Sequence, residues 1–85
     1  MSNYYKTNGI VLALRDVGEY DRIITCFTQD FGRVELLAKA VRKITSKLRG
    51  GLQPFSLSWL EFVEGKHGYI ATEAIAITQF LKKDN

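Results

Sequence analysis

Between Glu35 and Glu61 the chain carries no acidic residue, yet Lys39, Arg42, Lys43, Lys47 and Arg49 all fall in that interval, a local charge of +5 against +3 for all 85 residues. Cations gathered without carboxylates to neutralise them suit a polyanion. Each can neutralise a phosphate and release the counterions condensed on it, which drives sequence-independent binding that weakens steeply with salt. A loop that merely keeps a domain soluble ordinarily mixes its signs, so the missing acids favour binding over plain solvation. Arg33, which projects from a strand just before the run, joins the set as a sixth candidate contact.

Other reactive residues are few. One cysteine and one histidine, Cys26 and His67, could be counted as a nucleophile and base. Cys26, however, stands inside an apolar strand pattern where a small buried thiol is the ordinary outcome, and His67 stands in a glycine-flanked turn with no third group to orient it. Asp16, Glu19 and Asp21 could gather a hard cation, but Arg15 and Arg22 beside them make loop-fixing ion pairs the simpler reading. A lone cysteine builds neither a disulfide framework nor a zinc ribbon, and the glycine-rich phosphate-loop and dinucleotide patterns are missing. The expectation is a non-enzyme with no catalytic residue, no metal site and no cofactor. Rings add a second ingredient, since single-strand binders stack bases on exposed aromatics for about 1–3 kcal/mol each. Phe27, Phe55 and Phe62 lie in apolar strand patterns and are assigned to the core, whereas Tyr4, Tyr5, Tyr20, Phe31 and Tyr69 lie at strand ends or turns and are freer.

The elements that must position these groups are strands. A chain of 85 residues supports one core. Apolar and β-branched residues come in short blocks separated by glycine-bearing turns. The first block runs from Gly9 to Arg15, with Ile10, Leu12 and Leu14 on one face and Val11, Ala13 and Arg15 on the other. The polar segment 16–21 is a loop, and the second strand follows from Arg22 to Thr28. Asp30-Phe31-Gly32 makes a tight hairpin into the third, Arg33 to Ala38, whose Val34, Leu36 and Ala38 share the inward face.

From Lys39 to Arg49 the alternation fades into a loop or brief helix that Gly50-Gly51 would stop. After Pro54, Phe55 to Val63 form the fourth strand, in which a β-bulge near Trp59 would reconcile the two apolar phases. The turn 65–68 leads into the fifth, Tyr69 to Ile77. Meander, basic connection and final hairpin together predict an all-β, five-stranded Greek-key barrel of the oligonucleotide-binding (OB) kind. No apolar run approaches the roughly 20 residues of a membrane span and the start lacks a secretion signal, so a cytoplasmic location is expected.

The series Gly18-Glu19-Tyr20-Asp21-Arg22, Phe27-Thr28, Gly32-Arg33-Val34, Ala38-Lys39, Arg42-Lys43 and Leu52-Gln53-Pro54-Phe55 resembles, in order and spacing, the amino-terminal domain of the RecO family of DNA repair proteins. The resemblance covers Gly9 to Ile77. It implies an OB barrel over residues 1–80, with 81–85 a polar tail opening a helical domain that this sequence lacks, and with it the four-cysteine zinc site some members carry there. It further implies a non-catalytic role in DNA recombination and repair: holding single-stranded DNA, with duplex bound weakly, in partnership with RecR and SSB, in a bacterial cytoplasm at the nucleoid. The family's Ala-Lys-Gly-Ala-Arg stretch falls on Ala38 to Arg42, so Lys39, Arg42 and the adjacent Lys43 inherit its contact with DNA. Here Ala40 replaces the glycine, which makes the turn less permissive. Two other readings stay open beside this one: a protein-interaction module whose basic loop meets an acidic partner, and an RNA-binding OB domain, since charge and stacking do not sense a 2′-hydroxyl.

Overall fold

Alternating apolar residues on five segments build β1 (Tyr4–Val17), β2 (Asp21–Thr28), β3 (Gly32–Ala38), β4 (Ser56–Gly65) and β5 (Gly68–Gln79). The computed structural model describes residues 4–43 and 46–79, so the 81–85 tail lies outside the described residues. The strands close into a barrel in the order β1-β2-β3-β5-β4, every pairing antiparallel except β3 with β5. This is the all-β OB-type barrel that the turn spacing predicts. Among the described residues no helix is long and apolar enough to cross a membrane.

The interior is filled by Val11, Ile24, Cys26, Val34, Leu36, Ala38, Leu60, Phe62, Ala71 and Ala74 from the strands, and by Val41 and Leu52 from the β3–β4 connection. Val34, Leu36 and Ala38 point inward together, as their period of two requires. At one end Tyr5, Phe31, Phe62 and Tyr69 form a ring cluster with centroids 5.1–6.0 Å apart, mostly edge to face. That geometry suits the ring quadrupoles and closes the barrel mouth.

Four local expectations are corrected. The first strand begins five residues before Gly9, because Tyr4–Ile10 pairs with β4 while Gly9–Val17 pairs with β2. Its register skips Leu12, and that bulge breaks the proposed Ile10, Leu12 and Leu14 face: Leu12 turns out to solvent while Leu14 packs on the core. The fourth strand has no bulge at Trp59. Ser56, Ser58, Leu60 and Phe62 point inward in one unbroken phase, and the extra residues are Thr72 and Ile77 on β5. Finally, Phe27 and Phe55 are not core, being 58% and 44% exposed. Phe27 is one residue out of phase with the inward Ile24, Cys26 and Thr28, and Phe55 precedes β4 at φ 60.

The short helix of the β3–β4 connection is a single 3-10 turn, Arg49–Leu52, which contains the glycine pair rather than being stopped by it. The reason is close packing. A Cβ on Gly51 would lie 2.3 Å from the carbonyl carbon and oxygen of Ala74, so only glycine lets the turn rest on the β5 backbone. Ser58 Oγ donates to the Gly51 carbonyl at 2.6 Å, tying the same residue to β4.

Two outcomes follow from this packing. Gly51→Ala should lower stability by about 1–3 kcal/mol through overpacking against unyielding backbone, while Gly50→Ala, whose Cβ would meet nothing within 4 Å, should stay near wild type; urea unfolding midpoints of the two variants check this. Burial pushes the Cys26 thiol up to about 12, so a thiol-specific reagent at neutral pH should label it only in unfolded protein. Rapid labelling of the native fold would contradict the assigned burial.

Candidate nucleic-acid interface

The chain leaves β3 at Ala38 and reverses through Lys39–Arg42, a turn that needs one left-handed residue and takes it at Ala40, φ 56. Three hydrogen bonds hold it: Asp21 accepts from the Ala40 N–H at 2.7 Å, the Tyr20 carbonyl from the Arg42 N–H at 2.9 Å, and the Ala40 carbonyl from the Lys43 N–H at 3.1 Å. Val41 is buried beneath the turn. The basic segment is therefore strapped to the β1–β2 loop, with Lys39 and Lys43 left exposed. Left-handed backbone costs a residue with a Cβ roughly 1–2 kcal/mol, so the alanine keeps the turn at an energetic penalty rather than abolishing it.

Asp16 organises the neighbourhood. Its Oδ1 accepts from Arg22 Nε at 2.6 Å and its Oδ2 lies 3.6 Å from Arg42 Nε. The hydrogen bond from Arg22, helped by the nearby Arg42 charge, holds the Asp16 carboxyl below its ordinary value despite some desolvation. The pairing with Arg22 is the loop-fixing one read from the sequence; the pairing with Arg42 is not legible there. Arg42 also donates to the Gly18 carbonyl at 3.4 Å, and Lys43 Nζ stands 5.0 Å from the centre of the Tyr20 ring.

The six sequence-derived cations are not all gathered at one spot. Lys39, Arg42 and Lys43 share the turn beside the β1–β2 loop. Lys47 lies further along, lining a shallow groove with Leu48 against Thr72, Glu73, Ala74 and Ile75 of β5. Arg49, exposed, opens the 3-10 turn, where its carbonyl accepts from Gln53. Arg33 is at the opposite end of β3, about 20 Å from Lys39 at strand spacing, and faces outward across from the exposed Phe27. Among the described residues the only ion pairs are those of Asp16 with Arg22 and Arg42. The heads of Arg33, Lys39, Lys43, Lys47 and Arg49 thus have no carboxylate of the described residues within ion-pair range.

Sequence reasoning missed Lys66. The β4–β5 hairpin brings Lys66 and His67 against the end of β3, where they line one groove with Leu37, Lys39, Tyr69 and Ile70. Grouping cations by stretch of chain separates Lys66 from Lys39. The signal that unites them is topological: β3 pairs with β5 through Leu36–Tyr69 and Leu37–Ile70, which seats the hairpin beside the basic turn. Phe27 was missed for a different reason, having been assigned to the core.

If Ala40 carries the strain of this turn, Ala40→Gly should raise stability by about 0.5–1 kcal/mol, the relief of the Cβ clash less the greater freedom glycine gives the unfolded chain. Chemical unfolding of the two proteins measures the difference; a loss of stability in the glycine variant would show the left-handed turn to be unstrained.

The family model described as Recombination protein O N terminal matches residues 1–80. The DNA repair protein RecO of Heliobacterium modesticaldum is 41% identical over 76 residues, 89% of this chain and 28% of the relative. That of Nocardioides sp. is 40% identical over 78 residues, 92% of this chain and 32% of the relative. That of Pelotomaculum thermopropionicum is 46% identical over 54 residues, 64% of this chain and 21% of the relative. The chain thus spans about a third or less of the length of these curated relatives. Because the matched residues run from the first strand of the barrel through the last, the chain belongs to the Recombination protein O N-terminal family.

Proposed function

We propose that this barrel is the single-stranded DNA-holding module of a RecO-like recombination mediator acting in DNA repair, and that it performs no catalysis. The observation that carries the reading is the set of exposed cations, Lys39, Lys43, Lys47, Arg49 and Arg33, without a carboxylate partner among the described residues. Each lysine or arginine head can take a phosphate oxygen, and the gain comes from released counterions rather than from base recognition, so sequence preference is low. Arg42 acts differently. Its pairing with Asp16 and Gly18 makes it first a strut of the turn, and a phosphate must compete with Asp16 for its guanidinium. Tyr20 and Phe27, 46% and 58% exposed, offer faces on which unpaired bases can stack.

The relatives are named as DNA repair proteins, and the same role is proposed here, in the cytoplasm of a bacterium beside its chromosome. Residues 1–80 form the module, and 81–85 lead toward whatever follows it in longer members of the family. RecR and SSB are the proposed partners of the whole protein. A protein-contact role for the barrel itself has a separate observation in its favour: the exposed Phe27 lies opposite the half-buried Ile10, and Ile10 opposite the half-buried Leu57, while Ile75 and Ile77 stand exposed on β5. Exposed apolar area of that extent on a small domain suits a partner. Competition between oligonucleotide and RecR or SSB separates that role from DNA holding, and matched DNA and RNA strands separate the two nucleic acids.

The test is a salt-dependent titration of a labelled thymidine oligonucleotide followed by fluorescence anisotropy. Three to five phosphate contacts should give a slope of log K against log salt of about −2 to −3.5. The double variant Lys39→Glu, Lys47→Glu should lose at least about tenfold in affinity at low salt, with an unchanged thermal midpoint, since neither head is in an ion pair. Arg42→Glu is a poorer probe because it would set a second carboxylate beside Asp16 and loosen the turn. Affinity indifferent to both salt and charge reversal would reject the function.

A further inference from the structure

Of four grooves on the described part of the barrel, the one between the end of β3 and the β4–β5 hairpin differs from the others in its chemistry. Its lining combines two ammonium groups, Lys39 and Lys66, with His67 and an apolar floor of the paired residues Leu37 and Ile70, and includes no carboxylate. The groove at Lys47 is shared with Glu73. The groove beside Phe27, lined by Asn8, Gly9, Ile10, Thr28, Gln29 and Leu57, carries no formal charge. A depression with a flat apolar floor and cations on both walls fits a ligand that is apolar and planar on one side and anionic on the other. One nucleotide of a single strand has that form.

The walls come from different elements, so the site exists only in the folded barrel. Lys39 is placed by the strapped turn after β3, and Lys66 by the tight hairpin that joins Gly65 to Gly68. Beneath the floor Tyr69 turns its ring into the barrel against Tyr5 and Phe62, with centroids 5.5 and 5.1 Å away, which anchors the start of β5. The depression continues along β3 past Glu35 toward Arg33, with His67, Gly68 and Tyr69 still forming the facing wall. Such a trough gives the strand a path from the basic turn to the far end of β3, and Arg33 a part in binding despite its distance from Lys39.

We infer that Lys66 and Lys39 hold the two phosphates that flank one nucleotide of a single strand while its base lies on the Leu37 and Ile70 floor, making the β4–β5 hairpin the second wall of the binding site. This deepens the proposed function and rests on it. A paired base cannot enter the groove, so the clamp also selects single strands over duplex.

The experiment uses the whole chain with three substitutions: Lys66→Ala, Lys66→Arg, and Lys6→Ala as a control of equal net charge on β1, whose ammonium stands 5.5 Å from the Tyr4 ring away from the hairpin. The probes are a thymidine oligomer, the same oligomer with abasic sites, a uridine oligomer and a duplex. Lys66→Ala should reduce the magnitude of the salt slope for the single strands by about 0.7, the share of one phosphate contact, and lower the preference for single strand over duplex. Lys66→Arg should restore both, Lys6→Ala should change neither, and abasic sites should weaken binding to wild type.

Thymidine and uridine oligomers should respond alike to Lys66→Ala, because the clamp touches phosphate and base face only. Equal losses in Lys66→Ala and Lys6→Ala would reduce the effect to net charge and overturn the clamp, and undiminished binding of abasic strands would overturn the seating of the base. An unaltered slope in Lys66→Ala, alongside lost binding in the Lys39→Glu, Lys47→Glu variant, would remove the clamp and leave the DNA-holding function standing. Wild-type protein that binds no oligonucleotide removes both.

Discussion

One strand has to serve two neighbours, and the rest of the molecule depends on how it does so. β1 pairs with β4 over Tyr4–Ile10 and with β2 over Gly9–Val17, so the same backbone must turn from one partner to the other around Gly9 and Ile10. A side chain at Gly9 would put its Cβ 2.9 Å from Leu60 Cδ1 and 3.2 Å from the Phe27 carbonyl oxygen, which would hold the strands apart where they must converge. The bulge at Leu12 completes the bend, as bulges do where a sheet curls onto itself. Closure then follows from β4 carrying β5 round to β3. That last junction is short, two residue pairs long, so the β4–β5 hairpin leans on β3 without sealing against it, and a groove remains where a fully paired sheet would have none.

How much of this was legible in the sequence depends on whether a residue's environment is set locally. The strand count and the inward set of β3 could be read directly, because Val34, Leu36 and Ala38 alternate with Arg33, Glu35 and Lys39, and Leu37 is the one apolar residue in the opposite phase. β4 could not be read in the same way. Its inward positions start with Ser56 and Ser58, and a buried serine is reasonable only once an acceptor is known; for Ser58 that acceptor is the Gly51 carbonyl, delivered by the 3-10 turn. Reading the serines as outward forced an imaginary bulge at Trp59 and drew Phe55 into the core. Phe27 misled for the simpler reason that aromatic size suggests burial, whereas strand parity governs it.

The candidate site divides along the same line. Charge is a property of composition, so the run from Lys39 to Arg49 stood out at once. Whether a charge is available is a property of space. Asp16 lies on β1 and takes up Arg42 from the turn that follows β3, while Lys66, in a hairpin whose sequence reads as an ordinary turn, arrives beside Lys39 only because the barrel closes. A one-dimensional reading therefore counts one cation too many as free and overlooks another that faces the groove.

Ala40 shows what this separation means for the family pattern. Alanine lacks glycine's permissiveness at the residue that must adopt φ 56, and a turn stabilised only by its own backbone preference would then open. Here the left-handed residue is held from outside: its N–H by Asp21, its carbonyl by the Lys43 N–H, and the next residue but one by the Tyr20 carbonyl. The β1–β2 loop thus supplies the hold that the alanine's own backbone preference does not. Because the straps come from Tyr20 and Asp21, next to Gly18 and Glu19 in the motif that carries the family likeness, the acidic loop has a structural meaning beside the basic run. Asp21 and the Tyr20 carbonyl hold the backbone of the basic turn in register, and a turn kept in place before any ligand arrives loses less conformational entropy when one binds.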